Sequence, residues 1–406
     1  MALEGIRIID ISPWFAAAHG TSMLADMGAE VITIEDVPRG GPVRGELTSL
    51  ATLGTFLPAS DVNFHLPTFY RNKKSVGINL RKEGARHVIY RLTRKSDVFA
   101  SGIQASTLQK WGFDYKTVSQ FNPRIIYALL SGYGRKGPDK DKPVFDLVAQ
   151  ARGGMMSLMG EPDSPPPAWG AIWNADSVAS LMFAYSITLA LLVRERTGLG
   201  QEVDTSVLGG QIAMGTTFLE ACLATGQNPV KVSRKVVANP LRNIYRTKDG
   251  RWLALHMPGN ARFWDRFCNA LGLACLTVNP KFSSVDGRAQ NAEALISLLD
   301  EAFAGKTGSE WMNILPQKGV VCSLVNNYTE VAVDPQVLAN EYVATAEHPT
   351  LGPVKVVGLP VQLSKTPGNV SAFAPEYGQH TEEVLMGVGG FDWQEIAKLK
   401  EDGVIN

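Results

Sequence analysis

The sequence predicts an α/β fold built on a mostly parallel, doubly wound sheet, with a smaller α+β domain beside it. Three observations carry that reading. Short apolar strand patterns alternate with helix patterns through the first half of the chain, as expected for a parallel sheet covered by helices on both faces. The first two strand patterns flank a helix pattern, making a βαβ unit of about 30 residues. Near Gly226 the alternation stops and a hairpin signal takes its place.

The elements follow in order. Ile6 to Ile11 reads as a strand, Ala18 to Met27 as a helix stopped by Gly28, and Val31 to Ile34 as a second strand. Glu35 to Thr68 is a long irregular stretch rich in Gly, Pro and Ser. A loop longer than roughly 12 to 15 residues inside a compact domain serves as a lid or binding loop or is disordered, and a binding loop is the reading here. Ser75 to Leu80 is a strand, followed by a helix whose apolar stripe is Val88, Ile89 and Leu92, with Arg86, Arg91, Arg94 and Lys95 around it. Asp97 to Ala100 and Ile125 to Leu130 are further strands. In such sheets ligands bind beyond the carboxyl ends of the strands.

The longest apolar run, Val178 to Val193, contains Ser180, Tyr185, Ser186 and Thr188 and falls short of the roughly 20 residues that span a bilayer. It reads as a buried helix. Asp249-Gly250 marks the turn of a hairpin between Ile244 to Arg246 and Trp252 to Leu255, and helices follow at Ala261 to Leu271 and Ala292 to Phe303. Residues 1–224 and 326–406 are therefore assigned to a large α/β domain and 225–325 to a small α+β domain. No internal repeat or low-complexity tract interrupts them.

Composition narrows the function. A chain of 406 residues exceeds one typical domain of roughly 100 to 200. Its 45% hydrophobic and 19% charged content is that of a globular protein, and 39 basic residues balance 39 acidic ones. That balance argues against a nucleic-acid or membrane-surface partner. Cys222, Cys268, Cys275 and Cys322 form no C-x-x-C pair, so they are expected as buried thiols in a reducing cytoplasm. His19, His65, His87, His256, His348 and His380 are scattered, with no pair at i, i+4, so no metal site is expected. The N-terminus runs into a strand without the basic and apolar regions of a signal peptide, which again points to the cytoplasm.

Several blocks, in order, carry a resemblance. They are Leu3 to Asp10, Met23 to Ile32, Arg71 to Val76, Asn122 to Tyr127, Ser131-Gly132-Tyr133-Gly134 with Gly137-Pro138, and Asp146 to Gln150 with Gly153-Gly154. Arg194 to Gln201, Glu347-His348-Pro349 and Gly378 to Leu385 complete the set. Together they resemble the class III CoA-transferases, a family that includes formyl-CoA transferase, carnitine CoA-transferase and the 2-methylacyl-CoA racemases. The resemblance covers nearly the whole chain. It implies a Rossmann-like large domain, an interlocked homodimer or a heteromer with a related subunit, and acyl-CoA and a carboxylic acid as substrates. No permanently bound cofactor and no metal are implied.

The resemblance places the family's nucleophile, an aspartate just before a long apolar helix, at Asp176. By its own context Asp176 reads as a helix N-cap, and the two roles are compatible because a helix N-terminus favours an ionised carboxylate. A carboxylate suits the chemistry: it attacks a thioester to give a mixed anhydride and then an aspartyl-CoA thioester, exchanging CoA without hydrolysis. Backbone amides would stabilise the oxyanions, and Gly153 and Gly154 would let a main chain approach closely.

The phosphates of CoA call for Lys and Arg. By resemblance the candidates are Arg39 and Arg44 after the second strand, Arg71, Lys73 and Lys74 before the third, and Arg135 and Lys136 after Tyr133. Where the family often has an arginine-containing turn, this chain reads Gly102-Ile103-Gln104-Ala105-Ser106, and Gln104 cannot supply the charge. Trp14 and Phe15 fall where formyl-CoA transferase places residues that handle a small polar acid, and Leu50, Leu53, Phe56, Leu57 and Phe64 add to an apolar reading of the acceptor pocket. The competing reading is core packing.

Three alternatives compete with this reading. A racemase of this fold has a proton-carrying His beside the Asp that matches Asp146; this chain has Phe145. A nicotinamide enzyme would use Glu35 at the end of the second strand to bind ribose, yet Ser12 to Gly20 contains no G-x-G-x-x-G. A non-catalytic subunit of a heteromeric transferase would not need an intact Asp176.

Overall fold

Six strands of this chain line up side by side in one direction: β1 (Arg7–Ile11), β2 (Glu30–Glu35), β3 (Lys73–Gly77), β4 (Val98–Ser101), β5 (Ile126–Ser131) and β6 (Gln201–Ser206). Their order is β3-β2-β1-β4-β5-β6 and every neighbouring pair is parallel. The computed structural model describes residues 1–37, 40–44, 63–167, 173–348 and 350–406. Leu50, Leu53, Phe56, Leu57 and Arg39 lie outside them.

The helices that bear on the sheet and the site are α1 (Phe15–Asp26), α2 (Leu66–Tyr70), α3 (Glu83–Thr93), α4 (Ala105–Trp111), α5 (Tyr115–Phe121), α6 (Asp146–Arg152), α7 (Asn174–Thr197), α8 (Val207–Met214) and α9 (Thr216–Thr225). The alternation of side chains along each strand sorts the core into two layers. Ile9, Ile32, Val76, Phe99 and Tyr127 face one side and pack with Val88, Ile89 and Leu92 of α3. Ile8, Val31, Val98, Ile126 and Ala128 face the other and pack with α1 and α7. Both faces are apolar, which is why these strands read as continuous hydrophobic runs.

Boundaries moved in places. Helix α1 starts at Phe15, three residues before the expected Ala18, and no side chain caps it. Strand β3 starts at Lys73 and ends at Gly77, because Ile78 leaves the parallel pairing and bridges to Ile405 near the C-terminus. Helix α7 is not the fully buried helix expected. Ala175, Ala179, Phe183, Ile187 and Leu191 are buried, whereas Leu181, Tyr185, Leu189, Leu192 and Val193 stand exposed on the opposite face. It is apolar all round, and the sheet and α1 cover one side of it. Among the described residues it is the one helix long and apolar enough by itself to cross a bilayer. Gly20 sets the approach of α1 to α7: a Cβ there would lie 2.9 Å from the carbonyl oxygen of Ser180.

The chain divides into two compact units, Met1–Met156 with Ala168–Gly226 and Pro335–Asn406, and Ser157–Pro167 with Gln227–Asp334. In the second, β7 (Arg242–Arg246) pairs antiparallel with β8 (Trp252–His256), with Tyr245 opposite Leu253, and β9 (Cys322–Leu324) flanks β8. Helices α10 (Ala261–Leu271) and α11 (Ala292–Phe303) cover that sheet and match the sequence expectation residue for residue. All four cysteines are free, and only Cys268 is buried; Cys275 is exposed.

Candidate active site

The strand order reverses between β1 and β4, so the turns that leave their carboxyl ends diverge and open a crevice. A cleft of about 280 Å³ occupies it. Pro13 and Trp14 line it after β1, Gly102 and Gln104 after β4, and Ser131 and Gly132 after β5, with Asp176 in the wall.

Asp176 is the third residue of α7, and neighbouring helices fix the start of that helix. Its backbone N–H donates to Oδ1 of Asp146, the first residue of α6, at 3.0 Å. Gln150, one turn along α6, donates to the other oxygen of Asp146. From α8, buried Gln211 donates to Oδ1 of Asn174 at 3.1 Å. The cap position is Trp173, not Asp176; it holds φ 40° and ψ 42°, left-handed values unusual for a bulky residue. The carboxylate of Asp176 therefore caps nothing, and among the described residues no group hydrogen-bonds its oxygens. Burial, and then the negative charge of Asp146, push its pKa from 3.8 to about 7. A carboxyl held so high is poorly solvated when ionised, the state in which it is most nucleophilic.

The aromatic candidates separate. Trp14 and Phe145 meet edge to face at 5.6 Å on the rim of the cleft, 42% and 62% exposed. Phe15 turns the other way, against Phe69 at 5.6 Å and Trp173 at 5.4 Å, and does not line this cleft. The readings of Gly153 also change. Its N–H closes the last turn of α6 on Ala149, so it is not free for an oxyanion. It is a glycine for packing, since a Cβ would sit 2.5 Å from Cβ of Gln211. Gly154 adopts φ +88° and is likewise absent from the cleft lining.

Four of the basic candidates are engaged in ion pairs within the chain. Lys73 Nζ is fully buried and donates to Asp10 (2.8 Å), the Ala18 carbonyl and Thr21, using all three of its protons. Arg71 pairs with Asp26 at 2.6 Å, and Lys74 bridges Glu30 and Glu383. These three precede or open β3, which places them at the amino ends of parallel strands, away from the ligand edge. Lying near a strand in sequence does not say which end. Arg44 grips Glu35 with two bonds of 2.6 and 2.8 Å. Arg135 pairs with Glu202, and Lys136 is exposed beside it.

Sequence reasoning missed Lys140 and Lys142. They lie with Arg135 and Lys116 around a neighbouring cleft of about 510 Å³ beyond β4 and β5, and Lys142 lines both clefts. No motif marks them. The sequence gives Asp146 no role in a transferase; its spacing to Gln150, one helical turn, is the available signal. Among the described residues no group of three or more His, Cys, Asp or Glu side chains could hold a metal ion.

The family model of CoA-transferase family III matches residues 3–381. This chain belongs to that family. Among relatives, (R)-2-hydroxy-4-methylpentanoate CoA-transferase of Clostridioides difficile is 30% identical over 411 residues, covering 100% of both chains. Human succinyl-CoA:glutarate CoA-transferase is 30% identical, covering 100% of this chain and 90% of its own. Of solved structures, a CAIB/BAIF family protein from Brucella suis superposes with a TM-score of 0.82 at 25% identity, covering 95% of this chain and 99% of that one. The family III chain is thus a CoA-transferase, acting between acyl-CoA and carboxylic acids.

Proposed function

We propose that Asp176 carries first the acyl group and then CoA during this transfer. One observation supports it above the others: among the described residues lining the cleft beyond β1 and β4, Asp176 is the only acid. Its ionised oxygen attacks the thioester carbonyl, and the C–S bond breaks to release CoA thiolate and leave a mixed anhydride. The thiolate attacks the aspartyl carbon of that anhydride, releasing the donor acid and forming aspartyl-CoA. The acceptor carboxylate then displaces the thiolate, giving a second anhydride, and the thiolate takes the acceptor acyl group, restoring the carboxylate. No proton has to move. The anhydrides have to be kept from water while they last.

Arg135, Lys140 and Lys142, which line the neighbouring cleft beyond β4 and β5, and Lys136, exposed beside Arg135, receive the CoA phosphates in this reading. The acceptor is a bulky or aromatic acid, because Trp14 and Phe145 edge the cleft with rings. Competing oxalate or formate against aromatic and branched acids tests this; a preference for oxalate overturns it. The isomerase alternative lacks a proton carrier, since the side chain on the rim is Phe145.

The assembly is an interlocked homodimer, supported by the uncovered stripe of α7 and by exposed Phe218, Leu219 and Leu223 on α9. A heteromer with a related subunit is the alternative assembly. Light scattering should give the mass of a dimer, and a stable monomer at micromolar concentration refutes the homodimer. Four free thiols fit a cytoplasmic setting.

Trapping tests the mechanism. With an acyl-CoA donor and no acceptor, hydroxylamine should convert Asp176 to a hydroxamate, read by mass spectrometry of the peptide holding Trp173 to Ser177. Asp176→Ala should fold and bind CoA without exchanging it. Exchange by this variant near the wild-type rate eliminates the proposal.

A further inference from the structure

An α-helix ordinarily opens on a residue of extended backbone whose side chain accepts from the N–H two or three positions on. Helix α7 shows neither feature. Trp173 takes φ 40° and ψ 42° at the cap, and its side chain accepts nothing. The N–H that such a cap would serve, that of Asp176, goes instead to Asp146 on α6 at 3.0 Å. Glycine adopts a left-handed turn without strain, and serine, aspartate or asparagine would have capped the helix. A tryptophan does neither. Bulky residues persist in this region only where their surroundings over-determine them, and such residues gather at functional sites.

The ring supplies the constraint. The indole of Trp173 lies 5.4 Å from the ring of Phe15, tilted by 45°, and 5.4 Å from the imidazole of His65, tilted by 56°. Neither partner belongs to α7. Phe15 is the first residue of α1 and meets Phe69 of α2 at 5.6 Å, while His65, 5% exposed, stands at the cap position of α2. The indole thus ties the start of α7 to the starts of two other helices. The Trp173 carbonyl accepts from the Ser177 N–H at 2.8 Å, so a rotation at position 173 carries the first turn of α7 with it. Asp176 sits in that turn. Among the described residues no group hydrogen-bonds its carboxylate, so the direction of the side chain follows the backbone that bears it. Displacing a reacting group by about 1 Å costs roughly a hundredfold in rate.

We propose that Trp173 is a positioning residue for Asp176: its indole, held by Phe15 and His65, fixes the left-handed turn on which α7 begins and so aims the carboxylate into the cleft. This rests on the mechanism proposed above and adds the group that orients its carboxylate. Trp173 does not line the cleft and touches no substrate there; it acts through the backbone of the first turn.

The experiment compares two changes at position 173 in the full-length enzyme. Trp173→Gly leaves the backbone free to make the turn and removes the ring, whereas Trp173→Phe keeps an aromatic ring beside Phe15 and His65. For each, kcat and KM for acyl-CoA are measured, together with the rate at which donor without acceptor makes Asp176 reactive to hydroxylamine. Trp173→Gly should lower kcat and the labelling rate alike, by about tenfold to a hundredfold, with KM held within about threefold. Trp173→Phe should recover most of that loss. A purely structural role would lower stability and leave kcat of the folded enzyme where it was. Wild-type kcat and labelling in folded Trp173→Gly overturn the proposal, and so does an equal loss in both variants, since a ring in that place then aims nothing. If Trp173→Gly does not fold, Phe15→Leu removes one of the two rings that hold the indole and should lower kcat with KM unchanged; an unchanged kcat there overturns the proposal. Absence of hydroxamate from the wild type removes the Asp176 mechanism and this inference with it, whereas a labelled wild type with an equally labelled Trp173→Gly removes only the inference.

Discussion

Replacing Asp146 with Asn isolates the second of the two forces that hold the pKa of Asp176 high. Both burial and the charge of Asp146 raise Asp176 from 3.8 to about 7, and burial is the larger. Asparagine keeps an oxygen for the Asp176 N–H and removes the charge, and its amide nitrogen replaces the oxygen that accepts from Gln150, whose own amide has to turn over to accept in its place. Because the smaller of two like-signed causes accounts for less than half of the displacement, the variant's pKa should fall but stay above about 5.5, a change of at most about 2 kcal/mol. In the proposed mechanism the ionised carboxylate is the active form, so kcat/KM for acyl-CoA should fall away as pH drops through about 7 in the wild type. In Asp146→Asn the same fall should begin at lower pH. If the variant's pKa is about 6, its ionised fraction at pH 5.5 is roughly eightfold that of the wild type, with little gain at pH 8.5. Initial rates at limiting acyl-CoA from pH 5 to 9 read both profiles. An inflection that stays put or moves upward in Asp146→Asn, with folding intact, refutes the electrostatic reading of this pair.

Other outcomes follow from the same structure. Asp176→Asn should stabilise the fold at high pH: a carboxyl raised in the folded state contributes stability below 3.8 that is lost as pH rises through about 7. Its advantage over wild type in urea unfolding should therefore grow between pH 4 and 8, by up to about 4 kcal/mol less the roughly 0.3 to 1 kcal/mol that a helix N-terminus returns to an anion; an advantage flat with pH refutes it. Lys73→Met leaves Asp10 buried without a counter-ion and should cost about 3 to 5 kcal/mol in urea unfolding, whereas a loss near zero would mean the pair is dispensable. A 2-methylacyl-CoA incubated with the enzyme in deuterated water should keep its α-hydrogen, because Phe145 cannot carry a proton; rapid deuterium uptake restores the isomerase reading.

The strands and helices of the first unit were legible because burial on both faces leaves long apolar runs that only a covered parallel sheet explains. The helices Ala261–Leu271 and Ala292–Phe303 were legible because each carries one apolar stripe against a polar face. Helix α7 escaped the same logic: it is apolar all round, and periodicity cannot say which side the chain itself covers. The role proposed for Asp176 rests on its place in an ordered set of motifs, whereas its cap role was a local inference that the turn at Trp173 overrules. The phosphate ligands were the weakest part. A Lys before a strand looks the same whether it pairs internally, as Lys73 does with Asp10, or faces a ligand. Only the direction of the strands separates the two.

The strand order of this sheet is also that of the nicotinamide-binding enzymes, and two features set its crevice apart from theirs. The turn after β1 has Pro13 and Trp14 where those enzymes place glycines, so side chains stand where a pyrophosphate would approach the backbone. At the end of β2, Glu35 sits where an acid would hold the ribose hydroxyls. Both of its oxygens are engaged, by Arg44 at 2.6 and 2.8 Å and by the Ser75 hydroxyl at 2.5 Å. Without a glycine turn or a free ribose acceptor, neither anchor of a dinucleotide is present. The opening between β1 and β4 is then left to the group that α7 delivers into it, and that group is Asp176.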